Sequence, residues 1–171
     1  MSFAEDITKL VTAVNEKRYL DALRILASLD PDTRARVLEA AGAELSRHGM
    51  SIADFIYALG IDAIIDGANP VEVLNLVRSI SEDVYRQIAE ELDDVILGLA
   101  YSYAKNSRFE DIGKLEGYVK QLIDVVSENA RKRLEDVLIH IKALEHPEIV
   151  RFIDACLLYT SDAADELDGV D

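Results

Sequence analysis

Asp136 and His140 stand four residues apart in EDVLIHIK, a spacing that puts a carboxylate and an imidazole on one face of a helix. Such a pair could hold a metal ion, but no second pair of the kind occurs, and a dimetal site in a helical bundle needs Glu-x-x-His twice. His140 is expected at the boundary of the apolar stripe Leu134, Val137, Leu138, Ile141 and Leu144, and no metal or cofactor is expected. His48 follows Arg47 at a helix end before Gly49, where its interaction with the helix dipole accounts for it. The acidic run Glu90, Glu91, Asp93 and Asp94 has the charge to steer a cationic or basic peptide, against the plainer reading of a solvated helix face. Tyr57, Tyr101, Tyr103 and Tyr118 could line a groove, although core packing explains most aromatics at helical spacing. No phosphate-cradling glycine loop, nucleophile elbow or zinc spacing is present, so no catalytic residue is assigned and an enzyme is not expected.

The elements that position these groups are helices. Ser2 with Glu5, Asp30 with Pro31, Ser51 with Asp54, Asn69 with Pro70, Ser79 with Glu82, Ser107 with Glu110, Ser127, and His146 with Pro147 mark helix starts. Nine helices are predicted, near 3–16, 19–29, 31–48, 52–66, 70–79, 81–105, 108–126, 128–145 and 147–158. Connections of two to four residues predict antiparallel hairpins, and no strand is expected. In the helix near 81–105, Val84, Ile88, Leu92, Val95, Leu99 and Tyr103 form one apolar stripe, and Leu97, Tyr101 and Ala104 a second. Gly60, Gly98, Gly113 and Gly117 fall inside helices at a cost of about 1 kcal/mol each relative to Ala. Tight helix crossings are the predicted compensation near Gly60 and Gly98.

Charge and length narrow the function classes. The 171 residues carry a formal charge of −15, which repels phosphate backbones and argues against nucleic acid as a partner. The longest apolar stretch, ADFIYALGIDAII, is broken by Asp54, Asp62 and Asp66, so no membrane span is expected. The N-terminus lacks the basic and apolar regions of a secretory signal, which makes the cytoplasm the expected location.

Two-helix segments recur along the chain. Tyr19–Glu39 aligns with Pro70–Glu90, placing Leu23 on Leu74, Leu26 on Val77, Ser28 on Ser79, Asp32 on Asp83 and Val37 on Ile88. Val125–Leu138 aligns with Ser79–Leu92, and Arg108-Phe109-Glu110-Asp111 echoes Arg18-Tyr19-Leu20-Asp21. Shared apolar spacing in any two capped helices is the competing explanation. The run Asn15–Asp32, with Tyr19, Ala22, Leu29, Asp30 and Pro31, resembles the second helix of a tetratricopeptide repeat, and Tyr101–Leu122 carries a weaker echo with Ile112 at the alanine position. Together they cover about a third of the chain. Spacings of 51 and then 39 to 46 residues depart from the pattern, which is about 34 in tetratricopeptide arrays and about 40–47 in HEAT-like ones. The resemblance implies an irregular right-handed α-α superhelix, a fold that serves as a binding surface.

The terminal CLLYTSDAADELDGVD, residues 156–171, differs from everything before it. It holds the single cysteine and five acids but no Lys or Arg; without it the charge is −10. Cys156–Glu166 resembles an in-frame translation of a sequencing-library adapter, with Gly169-Val170-Asp171 matching fixed adapter sequence beyond a variable index. The expectation is therefore a single helical-repeat domain over residues 1–155, truncated at its native C-terminus, followed by a non-native tail over 156–171. The last helix is expected to reach into Tyr159, and residues from Ser161 onward to lie free of the domain because they offer little to bury.

The expected function is a protein-interaction module that presents a concave helical groove to a peptide or helix of a partner. Glu90, Glu91, Asp93, Asp94 and Tyr101 would face that partner, which the acidic edge predicts to be basic. The alternative is a small-molecule or enzymatic site between helix layers, built from Tyr101, Tyr103 and His140.

Overall fold

A computed structural model describes the backbone of residues 2–168 and the side chains of residues 2–158. The described residues are all-α, with no strand among them: α1 (Phe3–Asn15), α2 (Tyr19–Ser28), α3 (Pro31–Arg47), α4 (Ile52–Ile65), α5 (Pro70–Ile80), α6 (Glu82–Lys105), α7 (Phe109–Val125), α8 (Glu128–Leu144) and α9 (Pro147–Asp168). The first eight agree with the sequence-based boundaries to within a residue. No linker composition marks a division, yet the chain forms two compact units that meet between Val95 and Ile96, inside α6.

Local chemistry sets the helix starts. The Ser2 hydroxyl accepts from the Glu5 amide, and Asp30 accepts from both the amide (3.0 Å) and the hydroxyl (2.6 Å) of Thr33, ahead of Pro31. Ser51 and Asp54 make a full reciprocal capping box, and Asn69 accepts from the Val71 amide. Two expected caps move. Ser81, not Ser79, caps α6 by accepting from the Val84 amide, while the Ser79 hydroxyl folds back onto the Leu76 carbonyl inside α5. Ser107 takes a left-handed conformation (φ 56°) and closes α6, leaving Arg108 to lead into α7 with its guanidinium on Asp111.

The joint before α2 repeats this geometry. Lys17 is left-handed (φ 59°), the Arg18 amide donates to the Ala13 carbonyl at 2.8 Å, and Arg18 pairs with Asp21. Its counterpart before α7 has the Arg108 amide on the Tyr103 carbonyl, also at 2.8 Å. Gly49 and Gly67 close α3 and α4 with the same six-residue bond, at positions where glycine alone adopts positive φ without strain. In contrast α2, α5 and α7 end on the extended residues Leu29, Ser81 and Val126. Past two of these ends an arginine reaches back to the preceding helix: Arg34 donates to the Leu26 and Leu29 carbonyls, and Arg131 to the Ile123 carbonyl.

In the first unit α2 is the centre, packed against α1, α4 and α5 through the buried Ala22, Leu23 and Leu26. Helix α3 lies on α1 and α4, meets α4 at a 95° corner, and contributes one fully buried side chain, Val37. In the second unit α7 packs against α8, and α8 against α9. Leu23 and Leu74, aligned by the sequence repeat, are both buried, as is Leu115 of α7. No single helix among the described residues is long and apolar enough to cross a membrane.

Three sequence expectations are corrected here. The buried stripe of α6 runs Val84, Ile88, Leu92, Ile96, Leu99, Ala100, Tyr103 and Ala104, so it passes through Ile96 rather than Val95, and the Tyr101 side is exposed. The expected series took a three-residue step from Leu92 to Val95, whereas the buried face keeps four-residue steps through Ile96, Ala100 and Ala104 and is wide enough to take in Leu99 and Tyr103 beside them. Gly60 does sit at a tight crossing, but Gly98, Gly113 and Gly117 face open space. Finally α9 continues as helix to Asp168, past the expected end near 158. Residues 161–168, SDAADELD, contain Ala, Glu and Leu with no helix breaker before Gly169, so propensity carries the helix on.

Candidate functional site

The features with binding geometry lie in the first unit and come from α1, α2, α3 and α4. One is a cleft of about 750 Å³ bounded by Phe3, Asp6 and Lys9 of α1, Arg24, Ile25 and Ser28 of α2, and Leu29 to Arg36 around the start of α3. Its polar lining is largely committed. The Arg24 guanidinium binds the Glu72 carboxylate at 2.6 Å, Asp30 is held by Thr33, the Ser28 hydroxyl donates to the Ile25 carbonyl, and Arg36 stacks 4.6 Å from the Phe3 ring centre. The hydrogen bonds from Thr33 also hold the Asp30 carboxyl below its ordinary range.

A second, apolar groove of about 320 Å³ runs between α1, α3 and α4. Leu10, Val11, Val14, Ala41, Leu45 and Phe55 line it, with Asn15 and Glu44 the polar members. Val11 is 49% exposed, an unusual degree for a valine surrounded by apolar neighbours.

The acidic run of α6 does not act as one patch. Glu90 and Asp94 are exposed, whereas Glu91 is half-buried and accepts a short hydrogen bond from the Tyr57 hydroxyl of α4. That bond, with some burial, raises the Tyr57 phenol above its usual range. Asp93 is half-buried and engaged. Consecutive positions on a helix are about 100° apart, so a run of four acids is divided between solvent and the α4 side.

In the second unit the expected ligand site is not assembled by any described contact. Tyr103 is buried, with the Arg108 guanidinium over its ring at 4.6 Å, and Tyr101 is exposed. His140 is exposed, and its Nδ1 lies 2.8 Å from the Asp136 backbone carbonyl, so this nitrogen is turned to the main chain and not to the Asp136 carboxylate. None of the three lines either hollow described above. Among the described residues no group of three or more His, Cys, Asp or Glu could hold a metal ion.

An unanticipated pair occurs in this unit. Glu116 of α7 and Glu145, which caps α8, hydrogen-bond to each other, with Lys120 3.1 Å from Glu116. Two carboxyls can do this only by sharing a proton, so Glu145 is raised and Glu116 lowered from the ordinary 4.5. The raised group stabilises the fold at low pH and loses that contribution as pH rises through its folded value; the lowered one loses its contribution as pH falls through its own. Stability should therefore decline as pH rises from about 4.5 towards neutrality through the raised titration of the pair. Glu145→Gln supplies a permanent hydrogen-bond donor to Glu116 and should flatten that decline, as read from urea midpoints at pH 4.5, 5.5 and 7.

Sequence reasoning missed Asp6 and the apolar groove. A signal for Asp6 existed: it occupies the stripe Phe3, Asp6, Leu10, Ala13, a charged residue at an inward position. For the groove there was none, because Val11, Ala41 and Phe55 are brought together only by folding. No family model, curated protein or solved structure matches the chain.

Proposed function

We propose that the chain is a protein-interaction module of the helical-repeat type, tetratricopeptide-like or HEAT-like in its helix pairing, that seats an amphipathic helix of a basic partner. The observation that carries the reading is the groove lined by Leu10, Val11, Val14, Ala41, Leu45 and Phe55, an open apolar floor on the first unit. A helix presenting apolar residues three and four positions apart fits such a floor, since anchors at that spacing form one continuous ridge. Charge supports a basic occupant: the chain carries −15, Glu44 borders the groove, and Glu90 and Asp94 are exposed for long-range steering. Glu91, tied to Tyr57, takes no part in that steering. The repeat aspect is supported by the like-built joints before α2 and α7 and the arginine return bonds of Arg34 and Arg131.

The test is selection of displayed peptides against the folded protein. Enriched peptides should be amphipathic and Lys- or Arg-bearing, and Val11→Glu, a change at a half-exposed position, should weaken them at least tenfold. Neutralising Glu90 and Asp94 together should slow association and reduce its salt dependence while leaving dissociation unchanged. Failure to enrich any peptide, or equal binding by the Val11→Glu protein, overturns the proposal.

A further inference from the structure

Asp6 is the one charged residue in the buried set of the described chain, 7% exposed, and it faces the cleft between α1, α2 and the start of α3. Its carboxylate has no hydrogen-bond or ion-pair partner among the described residues; its backbone amide alone is bonded, to the Ser2 carbonyl. No side-chain oxygen or nitrogen sealed from solvent lacks a partner among the described residues. The Asp6 oxygens therefore open into the cleft. Reached only through the cleft, the carboxylate lacks a counter-charge unless something in the cleft supplies one.

The cleft's other polar groups do not do so. Arg24 is taken by Glu72, Arg36 lies on the Phe3 ring, and Lys9 is engaged. A divalent metal is disfavoured because no group of three or more ligating side chains is assembled among the described residues. An anion is disfavoured because, of the three cations on the lining, Arg24 is already satisfied by Glu72, Arg36 is stacked on Phe3 and Lys9 is engaged, whereas the Asp6 carboxylate has no partner. What remains is an organic cation. Phe3, Ile25 and Leu29 are half-buried apolar walls that suit an alkyl stem, and about 750 Å³ is within the usual range of small-ligand pockets.

We propose that this cleft binds an alkylammonium group, with the Asp6 carboxylate accepting its hydrogen bonds and Phe3, Ile25 and Leu29 packing its stem. The group arrives either on a free small amine or on a lysine side chain of a peptide; the chemistry at Asp6 is the same.

The experiment is an NMR titration of the full chain, following amide signals of residues 3–36, with four probes. Butylamine and Nα-acetyl-lysine amide carry the ammonium; butanol and Nα-acetyl-norleucine amide are their uncharged counterparts. Saturable shifts are expected with at least one ammonium probe, and the uncharged counterpart should bind at least tenfold more weakly. Response to acetyl-lysine amide alone assigns a peptide source, to butylamine alone a small-molecule source, and to both a site for the group itself. Asp6→Asn should abolish the response. If that variant fails to fold, Ser28→Lys serves instead: from its exposed position at the cleft it brings a tethered ammonium and should block the titration. The proposal is overturned if no ammonium probe shifts these signals, if the uncharged probes bind equally, or if the folded variant still binds.

Discussion

Gly60→Val should lower stability by about 3 kcal/mol, a fall in thermal midpoint of roughly 10 °C for a chain of this size. A Cβ on Gly60 would stand 2.7 Å from the Ile88 Cδ1 and 3.3 Å from the Val77 Cγ2, so α4 meets both α5 and α6 at this point with no room for a methyl group. Ile88 and Val77 are both at 0% exposure, so neither side chain has solvent to swing into. Valine adds two further carbons to that contact. Gly98→Ala supplies the contrast, because nothing lies within 4 Å of its Cβ position and the helix gains about 1 kcal/mol of propensity. Opposite signs for the two glycines in thermal melts are the expected result. A Gly60→Val protein as stable as the parent would mean that the crossing of α4 over Ile88 is wrong.

The second large effect is expected at Leu23. It is fully buried on α2, the helix that touches α1, α4 and α5, and its loss opens a cavity that three neighbours cannot all close at once. Leu23→Ala should cost about 2–5 kcal/mol, towards the upper end because rigid helices surround it. Urea unfolding measures this directly. The exposed Val125→Ala (62% exposed) should change the same midpoint by no more than about 0.5 kcal/mol. Equal effects at the two positions would remove α2 from the centre of the first unit.

The candidate sites sort by what each residue needed from the rest of the chain. Exposure of Glu90 and Asp94 follows from their charge, and the structure agrees. The fate of Glu91 depended on Tyr57, thirty-four residues earlier, and no local pattern announces that bond. Likewise His140 and Asp136 were correctly placed on one helix, but the ring nitrogen answers to a backbone carbonyl, a choice of rotamer that spacing leaves open. The pair Glu116 and Glu145 was invisible for the same reason, since two like charges twenty-nine residues apart give no reason to be joined until α7 and α8 pack.

Sequence alone determined that the chain is helical and where nearly every helix begins and ends. Those decisions are local: a serine, aspartate or asparagine that accepts an amide two or three residues on, a proline that fixes the first turn, a glycine that tolerates positive φ. It even carried the Arg-aromatic-x-Asp joint that the fold uses twice. Only tertiary structure decided which helical glycines are crossings, which acid of a run is captured, and that the stripe of α1 closes over an aspartate. Each of these turns on a distance between residues far apart in sequence, or on the absence of a neighbour, and an amphipathic pattern states which face of a helix is buried without stating what it is buried against.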